Sequence, residues 1–268
     1  VKAKITATFR FFVMDSMFDL FTAGVLEPVT ALGLILLAGF TSFVTGAMGL
    51  GGGMLLLVVM ASTMPIAALI PVHGLVQLGS NASRSVMTFR HLDRTMFKYF
   101  AVGTVIGALV ASLVVVQLPL LLIQLAIAVF LLLVVWGVKP KQRETSPSGS
   151  VVAGAFTTFL SMFVGASGPM VASVVFRNGY DKLTHTATFA TCMTFQHSLK
   201  AVVFTFVGFA FWQWLPLVVA MIASGAVGTW LGLKLLNKIP VEKFKLLFKI
   251  ILTVLALRLL YQAVMSLL

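Results

Sequence analysis

The chain has 268 residues, 60% of them hydrophobic and only 10% charged, with a formal net charge of +12 and a mean hydropathy of +1.08. A soluble domain carries roughly a quarter charged residues, so this composition excludes a soluble protein and points to an all-α polytopic membrane protein. The lysines and arginines lie mostly in short loops between apolar runs, as the positive-inside rule expects, which sets nucleic acid aside as a partner.

Residues 1–29 come first. They carry Lys2, Lys4 and Arg10, the run Phe9-Arg10-Phe11-Phe12-Val13-Met14, and then Asp15, Asp19 and Glu27. Asp15 and Asp19 share a helical face opposite much of the aromatic surface. The region reads as an amphipathic interfacial helix or a poorly spanning one, and no cleavable signal peptide is evident.

A first transmembrane repeat is expected over residues 30–138. Its first helix, residues 30–45, runs into Gly46-Ala47-Met48-Gly49-Leu50-Gly51-Gly52-Gly53-Met54, with five glycines in eight positions. Each glycine costs a helix about 1 kcal/mol against alanine, so the helix breaks there. At membrane depth a break survives only where it is buried in protein or lines a wet cavity. The helix that resumes near Gly53 offers free N–H groups and a positive dipole end, which favour an anion; the alternative is a close-packing glycine patch. Helices then follow over residues 54–63, 66–88, 97–116 and 120–138. The punctuation is Pro65, the basic Arg90-His91-Leu92-Asp93-Arg94, and the uncharged Gln117-Leu118-Pro119.

Residues 139–149 are the long polar linker, expected on the cytoplasmic side, and the second repeat spans 150–268. In that repeat residues 151–163 are apolar, Gly165-Ala166-Ser167-Gly168-Pro169 breaks the run, and 170–176 resumes it. After the turn at 177–182, helices are expected over 183–207, 212–233 and 243–267. A shift of 116 positions places Gly49 on Gly165, Gly52 on Gly168, Met54 on Met170, Asn81 on His197 and Arg84 on Lys200. Likewise Gly103-Thr104-Val105-Ile106-Gly107 echoes Gly228-Thr229-Trp230-Leu231-Gly232, a small-xxx-small pattern for close helix contact.

Charge sets the expected topology. The loops with Arg90, Arg94 and Lys98, with Lys139, Lys141 and Arg143, with Arg177 and Lys182, and from Lys234 to Lys249 are inside; the turns near Pro65, Pro119 and 208–213 carry no Lys or Arg and are outside. The first glycine hairpin then starts and ends outside and the second inside. The expected fold is two inverted-topology repeats, each a glycine-broken helical hairpin plus three transmembrane helices, which is a transporter layout.

His73, Gln77, Asn81 and Arg84 stand four, four and three residues apart, one stripe of a helix. In the other half Gln196, His197 and Lys200 lie within one turn, with Thr188 and Cys192 below. Ionisable groups inside a membrane are expensive and face a cavity or a partner. No Asp or Glu lies in any expected span after residue 27, so Arg84 and Lys200 are cations awaiting an anionic ligand. The blander alternatives are snorkelling for Arg84 and Lys200 and packing for His73 and His197. Arg258 reads as snorkelling. Cys192, the single cysteine, reads as packing; it leaves no internal disulfide and no metal or redox pattern.

Gly-x-x-Gly-x-Gly-Gly-Gly after an apolar run, a basic loop after the next helix, and a second half of like design resemble the TauE/SafE sulfite-exporter family, also called the toluene-sulfonate uptake permease family. The resemblance covers about residues 30–265 and is sharpest at 46–53. Two departures stand out: the second motif lacks a glycine triplet, and Val58 and Val59 occupy the region where a proline often follows the first. The resemblance implies transport of sulfite, organosulfonates or related small anions across a bacterial inner membrane, without enzymatic activity, metal or cofactor. The candidate substrate-binding residues are Gly51, Gly52, Gly53, His73, Gln77, Asn81, Arg84, Ser167, Gly168, Gln196, His197 and Lys200. In this reading the anion sits between the two breaks, on N–H groups and the Ser167 hydroxyl, with Arg84 and Lys200 on opposite sides. Rocking of the halves exposes it alternately, and uptake would need protons through His73 or His197. Two rivals are an anion channel and, because Gly165-Ala166-Ser167-Gly168 looks like the Gly-x-Ser-Gly of rhomboid intramembrane serine proteases, a protease with His197 or His185 as base.

Overall fold

The computed structural model describes residues 20–49, 51–114, 120–137, 144–165, 167–236 and 241–265. The expected N-terminal helix with Asp15 and Asp19 lies outside them, as do residues 117–119 and 138–143. Ten α-helices are present among the described residues: α1 Pro28–Met48, α2 Gly52–Thr63, α3 Ile66–Thr88, α4 Arg94–Ser112, α5 Leu120–Trp136, α6 Pro147–Val164, α7 Gly168–Phe176, α8 Lys182–Phe206, α9 Leu215–Leu235 and α10 Val241–Met265.

Local chemistry explains the boundaries that sequence patterning misses. α4 starts at Arg94, three residues before the expected 97, because the Asp93 carboxylate accepts from the N–H groups of Thr95 and Met96 at 2.9 and 3.0 Å. α6 begins at Pro147, inside the stretch expected as linker, because Ser146 caps it through Gly149 N–H at 3.1 Å and proline suits the first turn. A 3₁₀ turn at Phe211–Trp214 delays α9 to Leu215, past the expected 212.

Helices α1–α5 and α6–α10 pack reciprocally. The first helix of each set lies on the fourth of the other, α1 on α9 and α6 on α4. The third helices α3 and α8 pack together, α9 also lies against α3 and α4 against α8, and α5 packs on α10. The two outer seams are backbone-to-backbone. A Cβ on Gly228 would collide with the Gly39 carbonyl and one on Gly232 with that of Phe43; Gly103 and Gly107 meet the carbonyls of Val151 and Ala155 in the same way. The two small-xxx-small patterns therefore do make close helix contact.

The helices α1, α4 and α6 and the segment Phe211–Leu235 are long and apolar enough to cross a membrane. Their outer faces expose Leu36, Phe40, Leu109, Phe156 and Val227, apolar groups that a bilayer would cover. The more polar α3 and α8 are long too, at 23 and 25 residues, and His73, Gln77, Asn81 and Arg84 of α3 and Gln196, His197 and Lys200 of α8 are buried between neighbours rather than turned outward. The chain is a multi-pass membrane protein built around these two central helices.

At one end the loops are tied together. The Tyr180 hydroxyl donates to Asp93, Asp93 N–H donates to Thr188 Oγ1 at 3.1 Å, and Thr145 N–H to Asn178 Oδ1 at 2.9 Å. Lys182 Nζ reaches the Leu236 carbonyl at 3.3 Å. The loops bearing Arg90, Arg94, Arg177 and Lys182 thus share one end of the bundle.

Candidate functional site

The first break is made by glycine stereochemistry. Gly49 ends α1 at φ 86° and donates to the Thr45 carbonyl at 2.8 Å; Gly51 follows at φ 107°, a region that costs an L side chain about 1–2 kcal/mol. Gly51 O then accepts from Met54 and Leu55 N–H at 3.0 and 3.3 Å and opens α2. The N–H groups of Gly52 and Gly53 precede any intrahelical acceptor. Gly52 serves a second purpose: a Cβ there would collide with the Thr41 carbonyl, so its absence lets α2 begin against α1.

The second break is built alike and is poorer in donors. Gly165 ends α6 at φ 80°, and Ser167 O accepts from Met170 and Val171 N–H at 3.0 and 3.1 Å. Between them Gly168 keeps an N–H, whereas Pro169 has none to offer.

Side chains from α3 and α8 hold both breaks. His73 Nε2 donates to the Gly53 carbonyl at 2.9 Å, which leaves Nδ1 without a partner. Lys200 Nζ donates to the Gly165 carbonyl at 3.1 Å, placing a cation at the C-terminus of α6, where the helix dipole favours it. Its stem lies over Gly74, whose missing side chain makes the room. Arg84 Nη1 donates to Asn81 Oδ1 at 3.0 Å, and Asn81 Nδ2 donates to the Gln77 carbonyl at 2.8 Å. Arg84 Nε has no partner. Arg84 is 1% exposed and Lys200 0%, so neither cation snorkels.

Gln196 anchors the second break from behind. Its Oε1 accepts from the Ser167 hydroxyl, and its Nε2 donates to Thr157 and Thr158 Oγ1 at 3.2 and 2.8 Å. Ser167 therefore bonds to an amide and not to a histidine, so no base is oriented onto its hydroxyl.

Between the breaks lies a small cavity of about 30 Å³, where a single water needs roughly 10–15 Å³. Its walls are Thr45, Gly51, Gly53, Met54, His73, Gln77 and Asn81 from the first five helices and the turn joining α1 to α2. Gly165, Gly168, Pro169, Phe189, Met193 and His197 complete it from the others. The rings of His73 and His197 meet edge to face with centroids 6.5 Å apart. Both ring nitrogens of His197 and Nδ1 of His73 are buried without a hydrogen-bond partner. An orphaned buried polar atom costs about 1–3 kcal/mol, and three at one cavity give it unused hydrogen-bonding capacity.

Of the residues picked out in the sequence, Gly51, Gly53, His73, Gln77, Asn81, Gly168 and His197 line this cavity. Gly52, Arg84, Ser167, Gln196 and Lys200 are buried or nearly so behind it and hold the breaks or their neighbours. Thr45, Met54, Gly165, Pro169, Phe189 and Met193 also form its walls and are not among the candidate binding residues read from the sequence. Phe189 stands four residues before Met193 and Met193 four before His197, so the helical period was there to find them.

Among known proteins, the family model for the sulfite exporter TauE/SafE matches residues 34–259. No curated protein and no solved structure matches the chain.

Proposed function

Because this chain belongs to the sulfite exporter TauE/SafE family, and is by that membership a membrane transporter and not an enzyme, we propose that it moves small anions by alternating access through the cavity between its two broken helices. The substrates are sulfite, organosulfonates or related organic anions. One observation carries the reading: two helix breaks and two histidines with unpartnered nitrogens converge on the same small cavity.

The parts take distinct roles. N–H groups at Gly51, Gly53 and Gly168, the amides of Gln77 and Asn81, the imidazole of His197 and that of His73 when protonated at Nδ1 form the immediate shell of the anion. Arg84 and Lys200 act from one layer back, where low dielectric lets a cation be felt without contact. Gln196 and Ser167 keep the start of α7 in position. The reciprocal packing of α1 on α9 and α6 on α4 supports two repeats of inverted topology, which rock against each other to open the site at alternate ends. The end with the basic loops faces the cytoplasm of a bacterial inner membrane. An inside-negative potential of about 100 mV favours exit of each negative charge by roughly 2.3 kcal/mol, so export needs no coupling ion. Uptake would draw on protons through His73 or His197.

The test is flux into proteoliposomes for sulfite, sulfoacetate, taurine, sulfate and chloride, with a proton gradient imposed or absent. Saturable flux that is lost in the Arg84→Ala, Lys200→Ala double variant is expected. Flux that never saturates would indicate a channel, and unchanged flux in the double variant would sink the proposal.

A further inference from the structure

The cavity has two walls of unlike chemistry. α3 contributes His73, Gln77 and Asn81, and α8 contributes Phe189, Met193 and His197, each set at intervals of four. The 116-residue shift that relates the halves puts Phe189 on His73, Met193 on Gln77 and His197 on Asn81. Equivalent positions therefore supply hydrogen-bonding groups from α3 and mostly a ring and a thioether from α8. Met54, from α2, adds a second thioether. A thioether accepts hydrogen bonds weakly and donates none, and a phenyl ring has no N–H or O–H to give. The cavity's unused hydrogen-bonding capacity sits on the His73 and His197 rings.

An anion seated here meets hydrogen-bonding groups from α3, from His197 and from Gly168 N–H, and carbon and sulfur on the patch of wall formed by Phe189, Met193 and Met54. We infer that the cavity selects anions whose oxygens all lie on one face, such as sulfite or a short sulfonate, and rejects tetrahedral oxyanions such as sulfate, with Met193, Phe189 and Met54 as the discriminating residues. The inference rests on the anion-site reading above and goes beyond it to the cause of specificity. Sulfate carries oxygens all round, so at least one must face the apolar wall, stripped of water and without a donor. Sulfite places a lone pair there. A methanesulfonate places a methyl group there, which gains from leaving water.

The experiment is equilibrium binding of methanesulfonate, sulfite and sulfate to the purified full chain, by titration calorimetry, at an alkaline pH where sulfite is a dianion like sulfate. Methanesulfonate and sulfite are expected to bind at least roughly tenfold more tightly than sulfate. Met193→Gln puts an amide donor on the apolar wall and should shift the sulfate-to-sulfite affinity ratio toward sulfate by roughly tenfold. Phe189→Asn makes the same test should Met193→Gln not stay monodisperse. Sulfate binding as tightly as sulfite in the unmodified chain, or an unchanged ratio in a folded variant, overturns the inference while leaving an anion site. Binding of none of the three removes the anion site itself.

Discussion

The hydroxyl of Tyr180 donates to the carboxylate of Asp93, joining the turn after α7 to the turn after α3. Asp93 also caps α4 and donates its N–H to Thr188 of α8, so one residue ties the two halves at the basic end. Burial, followed by the bond to Asp93 and its negative charge, holds the Tyr180 phenol above its ordinary value of about 10. The folded chain thus favours the neutral phenol. Its contribution is complete below the unfolded value and fades as pH climbs through the raised one. Tyr180→Phe should remove from an ultraviolet absorbance titration a phenol that ionises above its ordinary value, and lower stability by about 1–3 kcal/mol. Loss of a phenol that ionises at its ordinary value would mean that the contact does not form in the membrane protein.

The start of α8 should be acid-sensitive. Asp181 accepts from the N–H of Thr184, from the Thr184 hydroxyl and from the N–H of Leu183, and these bonds, Thr184 foremost, hold its carboxyl below the usual carboxylate range. That capping is complete above the ordinary carboxylate value and is lost as pH falls through the lowered one. Amide hydrogen exchange at Leu183 and Thr184 should quicken in Asp181→Ala and not in Asp181→Asn, since asparagine also caps. Equal exchange in all three forms would contradict it.

Two glycines three residues apart should behave differently. Gly52→Ala drives a Cβ into the Thr41 carbonyl and the Thr45 hydroxyl, so α2 must shift off α1 and the cavity wall with it. Gly49→Ala meets no atom but keeps φ at 86°, a strain of about 1–2 kcal/mol. Size-exclusion profiles and flux should show Gly52→Ala inactive or misassembled and Gly49→Ala folded with reduced thermal stability. The reverse order would show that close packing is not what requires Gly52.

Gln196→Leu removes the partner of the Ser167 hydroxyl and two bonds to Thr157 and Thr158. Leaving such groups buried costs about 1–3 kcal/mol, and the start of α7 loses its tether. Thermal unfolding should shift down and anion flux should fall. A variant with full flux and unaltered melting would show that the network does not position the second break.

Much of this protein was legible in the residues alone, because it follows from local chemistry. The apolar composition required a membrane protein. Within the glycine cluster at 46–53 the helix breaks at Gly49 and Gly51, where glycine alone takes the positive φ without strain. The bounds of α3 could be read directly, at 66–88, since Pro65 opens the helix and a basic turn closes it. The stripe of His73, Gln77, Asn81 and Arg84 needs only the helical period.

What the residues alone left open was which partner each polar group takes, and that depends on segments far apart in the chain. Lys200 meets a carbonyl 35 residues away at Gly165, and Ser167 meets Gln196 across 29 residues. Arg84 has neutral neighbours within its own helix and still stays buried, because α3 lies beneath other helices. The unlike walls of the cavity appear only once α3 and α8 are brought face to face. Local propensity decides where helices start and stop; the packing of one helix on another decides which polar atoms are satisfied and which are left for a ligand.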